Sequence, residues 1–98
     1  MYIKQYRLVI NTKDLDKAKD LIGSISQQYL KHGIVGHEII ENDYGEKSVI
    51  VFIEEFPSKA NFQTISEQVD REPGNYALWE QLTKLVFEKN LFEQEFEF

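Results

Sequence analysis

Cysteine is absent from this 98-residue sequence, which also has only one tryptophan, one methionine and two prolines. Without cysteine there is no disulfide framework, no thiolate metal site and no cysteine nucleophile. This absence is consistent with the reducing cytoplasm, and we expect a cytoplasmic protein. The N-terminus alternates polar and apolar residues, and no stretch approaches the roughly 18 apolar residues of a membrane span. The sequence therefore predicts neither a signal peptide nor a membrane-spanning helix.

Basic residues are scarce, with 11 Lys and Arg against 17 Asp and Glu and a net charge of −6. They are scattered singly, whereas phosphate backbones and anionic lipid headgroups attract clustered basic side chains. We therefore predict neither nucleic-acid binding nor membrane binding. The two histidines form no HxH or HExxH pattern, and there is no Gly-rich phosphate loop or Gly-x-Ser-x-Gly motif. The sequence accordingly predicts no metal and no cofactor.

Hydrophobic residues make up 42% of the chain and charged residues 29%, and 13% of the residues are aromatic, seven of them Phe. The first two values are typical of a soluble globular protein, and the length suits a single domain, residues 1–98. Each aromatic side chain can bury a large apolar area. So many of them in a small domain suggest a core that continues into a partner or lines a pocket.

The first half of the chain predicts a strand, a helix and a β-hairpin. Residues 2–10 are rich in β-branched and aromatic types, and apolar residues then recur every three or four positions over residues 14–31, with Asp14 as the N-cap. Two strand-like runs, residues 34–42 and 46–56, follow and are joined by a short connection that contains a glycine. The second run is apolar on both faces, which predicts a central strand.

The second half predicts two helices and a last strand. Ser58 caps a helix whose apolar stripe ends at Val69, and the REPG sequence at residues 71–74 then breaks it. A further helix begins at Asn75, the predicted N-cap, and carries Trp79. In the final LFEQEFEF segment phenylalanines alternate with glutamates. This period-2 pattern is typical of a strand with one buried and one solvated face.

The predicted order β-α-β-β-α-(α)-β is the split βαβ or ferredoxin-like arrangement of the α+β class. It implies a four-stranded antiparallel sheet with the first and third strands in the middle and the helices on one face. The other face, which carries Ile3, Val9 and part of the Phe set, is too apolar to stay in water. A second copy often buries such a face, sheet against sheet, in a two-fold dimer. We therefore predict a homodimer.

This order of elements resembles the dimeric α+β barrel superfamily, which includes the antibiotic biosynthesis monooxygenase and NIPSNAP families. The resemblance covers nearly the whole chain and lies in the order of elements rather than in a motif. Arg71, Pro73 and Trp79 are similar to the basic residue, proline and tryptophan that open a late helix in NIPSNAP-like proteins. The resemblance implies a dimeric α/β barrel and, in the monooxygenase-like case, cofactor-independent oxygenation of an activated substrate.

Gln5 and Arg7 are the candidate site residues of the first strand. Both lie on its non-helical face, which in a barrel dimer points to the interior, and an unpaired buried guanidinium is costly. Arg7 is then either an anion-binding or carbonyl-polarising group in a cavity, or it forms an ion pair across the dimer with Glu54 or a last-strand glutamate. The sequence leaves both interpretations open.

His37 and Trp79 complete the candidate ligand-binding set of Gln5, Arg7, His37 and Trp79. His37 is a candidate base, although the neighbouring Glu38 points to the opposite face of the strand and cannot act with it. Trp79 either closes a pocket for a flat aromatic ligand or packs as a core or interface anchor. No catalytic set is identified beyond the candidates His37 and Arg7.

Two functions follow as hypotheses. The first is a homodimeric barrel whose interior cleft binds a small aromatic or quinone-like molecule, with monooxygenase-like activity as the resemblance implies. The second is a non-enzymatic binding or protein-interaction module whose dimer interior is packed with side chains. An interior cavity of several hundred Å³ lined by at least two polar groups favours the first hypothesis, and a packed interior favours the second.

Overall fold

The computed structural model describes all residues, Met1–Phe98, and has the predicted order of elements. A short 3₁₀ turn, Thr12–Asp14, precedes the first helix. The strands and helices are β1 (Tyr2–Asn11), α1 (Leu15–Lys31), β2 (Gly36–Tyr44), β3 (Lys47–Phe56), α2 (Lys59–Asp70), α3 (Asn75–Leu85) and β4 (Val86–Glu97). None of the helices is both long enough and apolar enough to cross a membrane.

All four strands form one antiparallel sheet in the order β2-β3-β1-β4. The first and third strands are therefore the central ones, as the two-sided apolar pattern of residues 49–53 predicts. The fold is a four-stranded antiparallel sheet with three helices, in the ferredoxin-like arrangement. The predicted fold class is confirmed.

The hydrophobic core lies between the sheet and the helices. Because strand side chains alternate between the two faces, the even-numbered residues of β1 and β3 share the helix-covered face, and Leu8, Ile50 and Phe52 are buried there. From the helix side, Ile22 and Ile25 of α1 are fully buried against them. Each such apolar side chain contributes on the order of 2 kcal/mol when it is removed from water. This packing explains why the helices cover this face of the sheet.

Of the three predicted helix caps, only Ser58 is confirmed. Its hydroxyl accepts a hydrogen bond from the backbone N–H of Asn61 at 3.1 Å. Asp14 stands at the N-cap position of α1 but makes no side-chain capping bond, because the 3₁₀ turn runs directly into the helix. Asn75 is not the cap of α3, since Gly74 takes that position with φ of +84° and Asn75 is buried inside the first turn.

The strand β4 also begins earlier than the predicted LFEQEFEF segment, which starts at Leu91. In the structure Val86 already pairs with Ile10, and the next pair along the strand joins Leu91 to Leu8. Residues 87–90 therefore bulge out opposite a single β1 position, which lengthens β4 by several residues relative to the predicted segment. The bulge was not evident in the sequence because it contains no glycine to mark a backbone of positive φ.

The second face of the sheet, which we call the open face, is covered by no helix. Because neighbouring strand residues point to opposite faces, Phe92 and Phe96 of β4 lie on the open face, and Glu93, Glu95 and Glu97 lie on the helix-covered face. Ile40, Phe92 and Phe96 remain 43%, 55% and 38% exposed. The open face consists of Ile3, Gln5, Arg7, Val9, Glu38, Ile40, Val49, Val51, Ile53, Glu55, Phe92, Gln94 and Phe96.

Candidate functional site

A polar group stands in the middle of the open face. Gln5 and Arg7 are on β1, and the antiparallel register places Gln94 directly opposite Gln5 and Phe92 directly opposite Arg7. Together with Glu93 these residues line a depression of about 270 Å³ between the two strands. Two amides, one guanidinium and one aromatic ring thus surround a single concave site on a largely apolar face, whose acidic residues are Glu38 and Glu55.

The Arg7 guanidinium has no acidic partner. None of the salt bridges of the chain includes it, so no carboxylate oxygen lies within 4.0 Å of its nitrogen atoms. The Phe92 ring is its aromatic neighbour, with the ring centroid 6.0 Å from the guanidinium carbon. This distance is at the outer limit of a cation–π interaction. The positive charge of Arg7 is therefore free to meet an incoming anion.

The acidic partners predicted for Arg7 lie on the opposite face of the sheet. Glu54 is buried on the helix-covered face. Glu93 and Glu95 of the last strand point to that same face, where they lie 3.7 and 3.1 Å from the ammonium group of Lys4. The strand register therefore does not support the ion-pair interpretation, because it puts the side chains of these glutamates and of Arg7 on opposite faces of the sheet.

His37 and Trp79 are on the helix-covered side of the sheet, away from Gln5 and Arg7. His37 pairs with Glu54 in the strand register and is exposed on the edge strand β2. Trp79 of α3 is half-buried, and its ring centroid is 5.3 Å from that of Tyr6. The structure thus brings Gln5 and Arg7 together and separates both from His37 and Trp79. The indole of Trp79 packs against its own sheet.

A second polar cluster lies in the core, and sequence reasoning missed it. The Glu54 side chain is only 1% exposed. One of its oxygens, Oε1, accepts a hydrogen bond from the Ser26 hydroxyl at 2.9 Å, and the other, Oε2, has no partner. Burial raises the pKa of Glu54 to about 7, and the hydrogen bond from Ser26 offsets part of that increase. The sequence feature that could have revealed this cluster is the position of Glu54 in β3, two and four residues after the core residues Phe52 and Ile50 and therefore on the same face of the strand.

Two phenols belong to the same cluster. Burial raises the pKa of Tyr29 to about 12, and the nearby Glu54 carboxylate adds to this rise. Burial likewise raises the pKa of Tyr6 far above its usual range. Both phenols therefore release their protons less readily than an exposed tyrosine does. None of the surface depressions of the chain is lined by these residues.

Comparisons with known proteins show likeness in structure alone. No protein-family model matches the sequence, and no curated protein is similar to it in sequence. A dimeric ferredoxin-like protein from an uncultured marine organism superimposes with a TM-score of 0.69 at 21% identity, covering 96% of this chain and 84% of that one. An antibiotic biosynthesis monooxygenase superimposes with a TM-score of 0.73 at 13% identity, over 100% and 98% of the two chains.

A third solved structure extends the likeness to the NIPSNAP domain. It is an uncharacterised NIPSNAP domain protein from Burkholderia xenovorans, with a TM-score of 0.69 at 8% identity, over 98% of this chain and 92% of that one. The structural neighbours thus include the kinds of protein that the order of elements resembles, namely dimeric ferredoxin-like, monooxygenase and NIPSNAP domain proteins. At these identities the likeness establishes the fold: the chain has the ferredoxin-like α+β fold that these dimeric, monooxygenase and NIPSNAP domain structures share.

Proposed function

We propose that two copies of the chain pack their open faces together and bind a small planar molecule between the sheets, beside Gln5, Arg7 and Gln94. The observation that carries this proposal is the open face itself, which is largely apolar around a concave polar centre. A face of this kind is unfavourable in water, and its polar centre is unfavourable in a fully packed interface. A ligand between the two sheets relieves both costs.

The size of the open face supports a dimer. Strands lie about 4.8 Å apart and rise about 3.3 Å per residue, so four strands of about ten residues present a flat footprint of roughly 600 Å². The corrugated accessible area of such a face is larger, and a standard protein interface buries about 800 Å² on each partner. One of the similar solved structures is described as dimeric, which further supports this assembly.

The central depression supports a ligand rather than a closed interior. In the single chain it already measures about 270 Å³ and is lined by one guanidinium and two amides. Facing copies in a two-fold dimer bring two such depressions together. Ligand pockets in proteins commonly measure about 300–1,000 Å³ and combine apolar walls with a few polar groups. Two facing depressions of this size and lining support a binding cleft over a packed interaction module.

The reaction we propose to test is cofactor-independent oxygenation, because one structural neighbour from Streptomyces nogalater is described as a cofactor-independent oxygenase. In such a reaction the substrate supplies the electrons. A ring CH₂ group reacts with O₂ to give C=O, and the second oxygen atom leaves as water. Arg7 would act as the polarising group, since a guanidinium stabilises the negative oxygen of the ionised substrate. His37 and Trp79 lie across the sheet and stay outside this site.

The dimer is tested by sedimentation velocity at micromolar concentration. We expect a dimer for the wild-type protein and a monomer for Val51→Lys, which places a second positive charge directly opposite Arg7 in the middle of the open face. The matched control is Gln63→Lys, an exposed position on α2 that adds the same charge away from this face. A wild-type monomer, or a Val51→Lys variant that remains dimeric, would contradict the sheet-to-sheet assembly.

The activity is tested with anthrone, an aromatic ketone with an acidic ring CH₂ group. We expect the wild-type dimer to consume O₂ with anthrone faster than buffer does and to form the corresponding quinone. A dimer that neither accelerates this reaction nor binds planar aromatic molecules would instead support the non-enzymatic interaction module.

A further inference from the structure

We propose that the molecule bound at the open face is an anion, a planar aromatic acid held by its carboxylate at Arg7 of one copy and by its ring along Phe92, while Arg7 of the second copy is the polarising group. This inference rests on the proposed function and adds the chemical class of the ligand. The unpaired guanidinium of Arg7 at the centre of a face that is otherwise built for burial is the observation behind it.

The charges of the open face leave Arg7 without a partner in its own chain. The acidic residues on this face are Glu38 and Glu55. Glu55 pairs with Ile3, four residues before Arg7, so it lies roughly 13 Å away along the strands. Glu38 is on β2, two strand spacings or about 10 Å across the sheet from β1. Neither carboxylate is a direct neighbour of the guanidinium.

Covering the open face removes water from Arg7. A guanidinium cannot release its proton at any ordinary pH, so its desolvation must be compensated by a negative charge. An anionic ligand in the depression supplies this charge. A neutral ligand would leave the positive charge of Arg7 buried and unpaired, which is the more costly arrangement.

The donor geometry suits a carboxylate in particular. The guanidinium presents a planar fork of N–H groups that can donate two parallel hydrogen bonds to the two oxygens of a carboxylate. Gln5 and Gln94 are paired across β1 and β4. Gln5 is the next residue to Arg7 on the same face of β1. Their amide N–H groups can donate to the outer lone pairs of the same anion. Phe92, opposite Arg7, supplies a flat apolar wall for the ring.

The size of the depression limits the ring system. A volume of about 270 Å³ lies at the lower end of the range for ligand pockets. The lining of a single copy therefore suits a molecule of one or two fused rings. 1-Naphthoate is such a molecule, and 1-naphthamide has nearly the same shape without the charge.

The test is isothermal titration calorimetry of the wild-type dimer with 1-naphthoate and with 1-naphthamide. We expect 1-naphthoate to bind about 10- to 100-fold more tightly, because a charge-assisted hydrogen bond is stronger than a neutral one. The Arg7→Gln variant should lose this difference. Arg71→Gln is the matched control, since Arg71 is exposed on the helical side and its loss should leave both affinities unchanged.

These measurements test the chemical class of the ligand independently of whether the chain forms a dimer. Equal affinity of the wild-type dimer for the acid and the amide would overturn the anionic class while leaving a ligand site in place. Absence of 1-naphthoate binding would also overturn it. If Arg7→Gln converted the dimer to a monomer in sedimentation, and Glu38→Gln or Glu55→Gln did the same, Arg7 would pair with the second copy instead. A wild-type monomer would contradict the proposed function itself.

Discussion

Replacing Glu54 by glutamine removes the only buried carboxyl group of the core while keeping its shape. Glu54 is 1% exposed, accepts one hydrogen bond from Ser26 and leaves Oε2 without a partner. Its pKa is raised from the usual 4.5 to about 7 because burial disfavours the charged form. The folded chain therefore binds a proton at this site over a pH range in which the unfolded chain has already released it.

The sign of the pH dependence follows from this difference in proton binding. Between pH 4.5 and 7 the folded state holds more protons than the unfolded state, so the free energy of unfolding decreases as the pH rises. One pKa unit corresponds to about 1.4 kcal/mol, and the whole window therefore costs wild-type stability about 3 kcal/mol. Above about pH 7 both states are ionised and the dependence ends. Glu54→Gln lacks this dependence altogether.

Urea unfolding at a series of pH values from 4.5 to 8.5, followed by tryptophan fluorescence at one fixed protein concentration, measures the effect. The amide introduced by Glu54→Gln leaves an N–H group unpaired at the place of Oε2, at a cost of about 1–3 kcal/mol. The variant should therefore be less stable than the wild type at pH 4.5, and it should gain about 3 kcal/mol relative to it by pH 8. Glu67→Gln, an exposed position on α2, is the control. A stability difference that is constant across this pH range would refute the reasoning.

Two further predictions concern the backbone of the β4 bulge and the packing of the tryptophan. Lys89 has φ of +59°, a backbone conformation that glycine adopts more readily than lysine. Lys89→Gly should therefore raise the free energy of unfolding, measured in urea, by about 1 kcal/mol. The control Gln81→Gly, inside α3, should lower it by about the same amount. Trp79→Ala should lower it by about 2–4 kcal/mol without changing the sedimentation coefficient, because the indole packs on Tyr6 in the core. A stable variant that becomes a monomer would instead place Trp79 in the dimer interface.

Strand alternation made most of the fold predictable. The two-sided apolar pattern of residues 46–56 predicts a central strand, and the alternation of Phe and Glu in β4 predicts that the two residue types lie on opposite faces; the structure has both features. The same pattern placed Gln5 and Arg7 on one face, and they do share the open face. The sequence therefore predicts two residues of the candidate site, Gln5 and Arg7. Gln94 and Phe92 were not predicted, because their position beside these residues depends on the register of β4.

The helix caps and the β4 bulge were less predictable because they depend on backbone geometry that several residue types can adopt. Asn75 is a common N-cap residue, yet Gly74 takes the position since it most readily accepts the positive φ of the turn. Glu88 and Lys89 also adopt positive φ without being glycine. Nothing in their residue types indicates this, and the pairing of the flanking residues with β1 imposes it.

The sequence by itself determined which elements form and which side chains share a strand face, because both follow from local periodicity. The tertiary structure decided which groups meet across strands and layers. It placed Glu54 beneath α1 with Ser26, turned the β4 glutamates towards Lys4, and left Arg7 with two amides and no carboxylate. These contacts depend on strand register and on which face the helices cover, and both are set by long-range packing rather than by any local pattern.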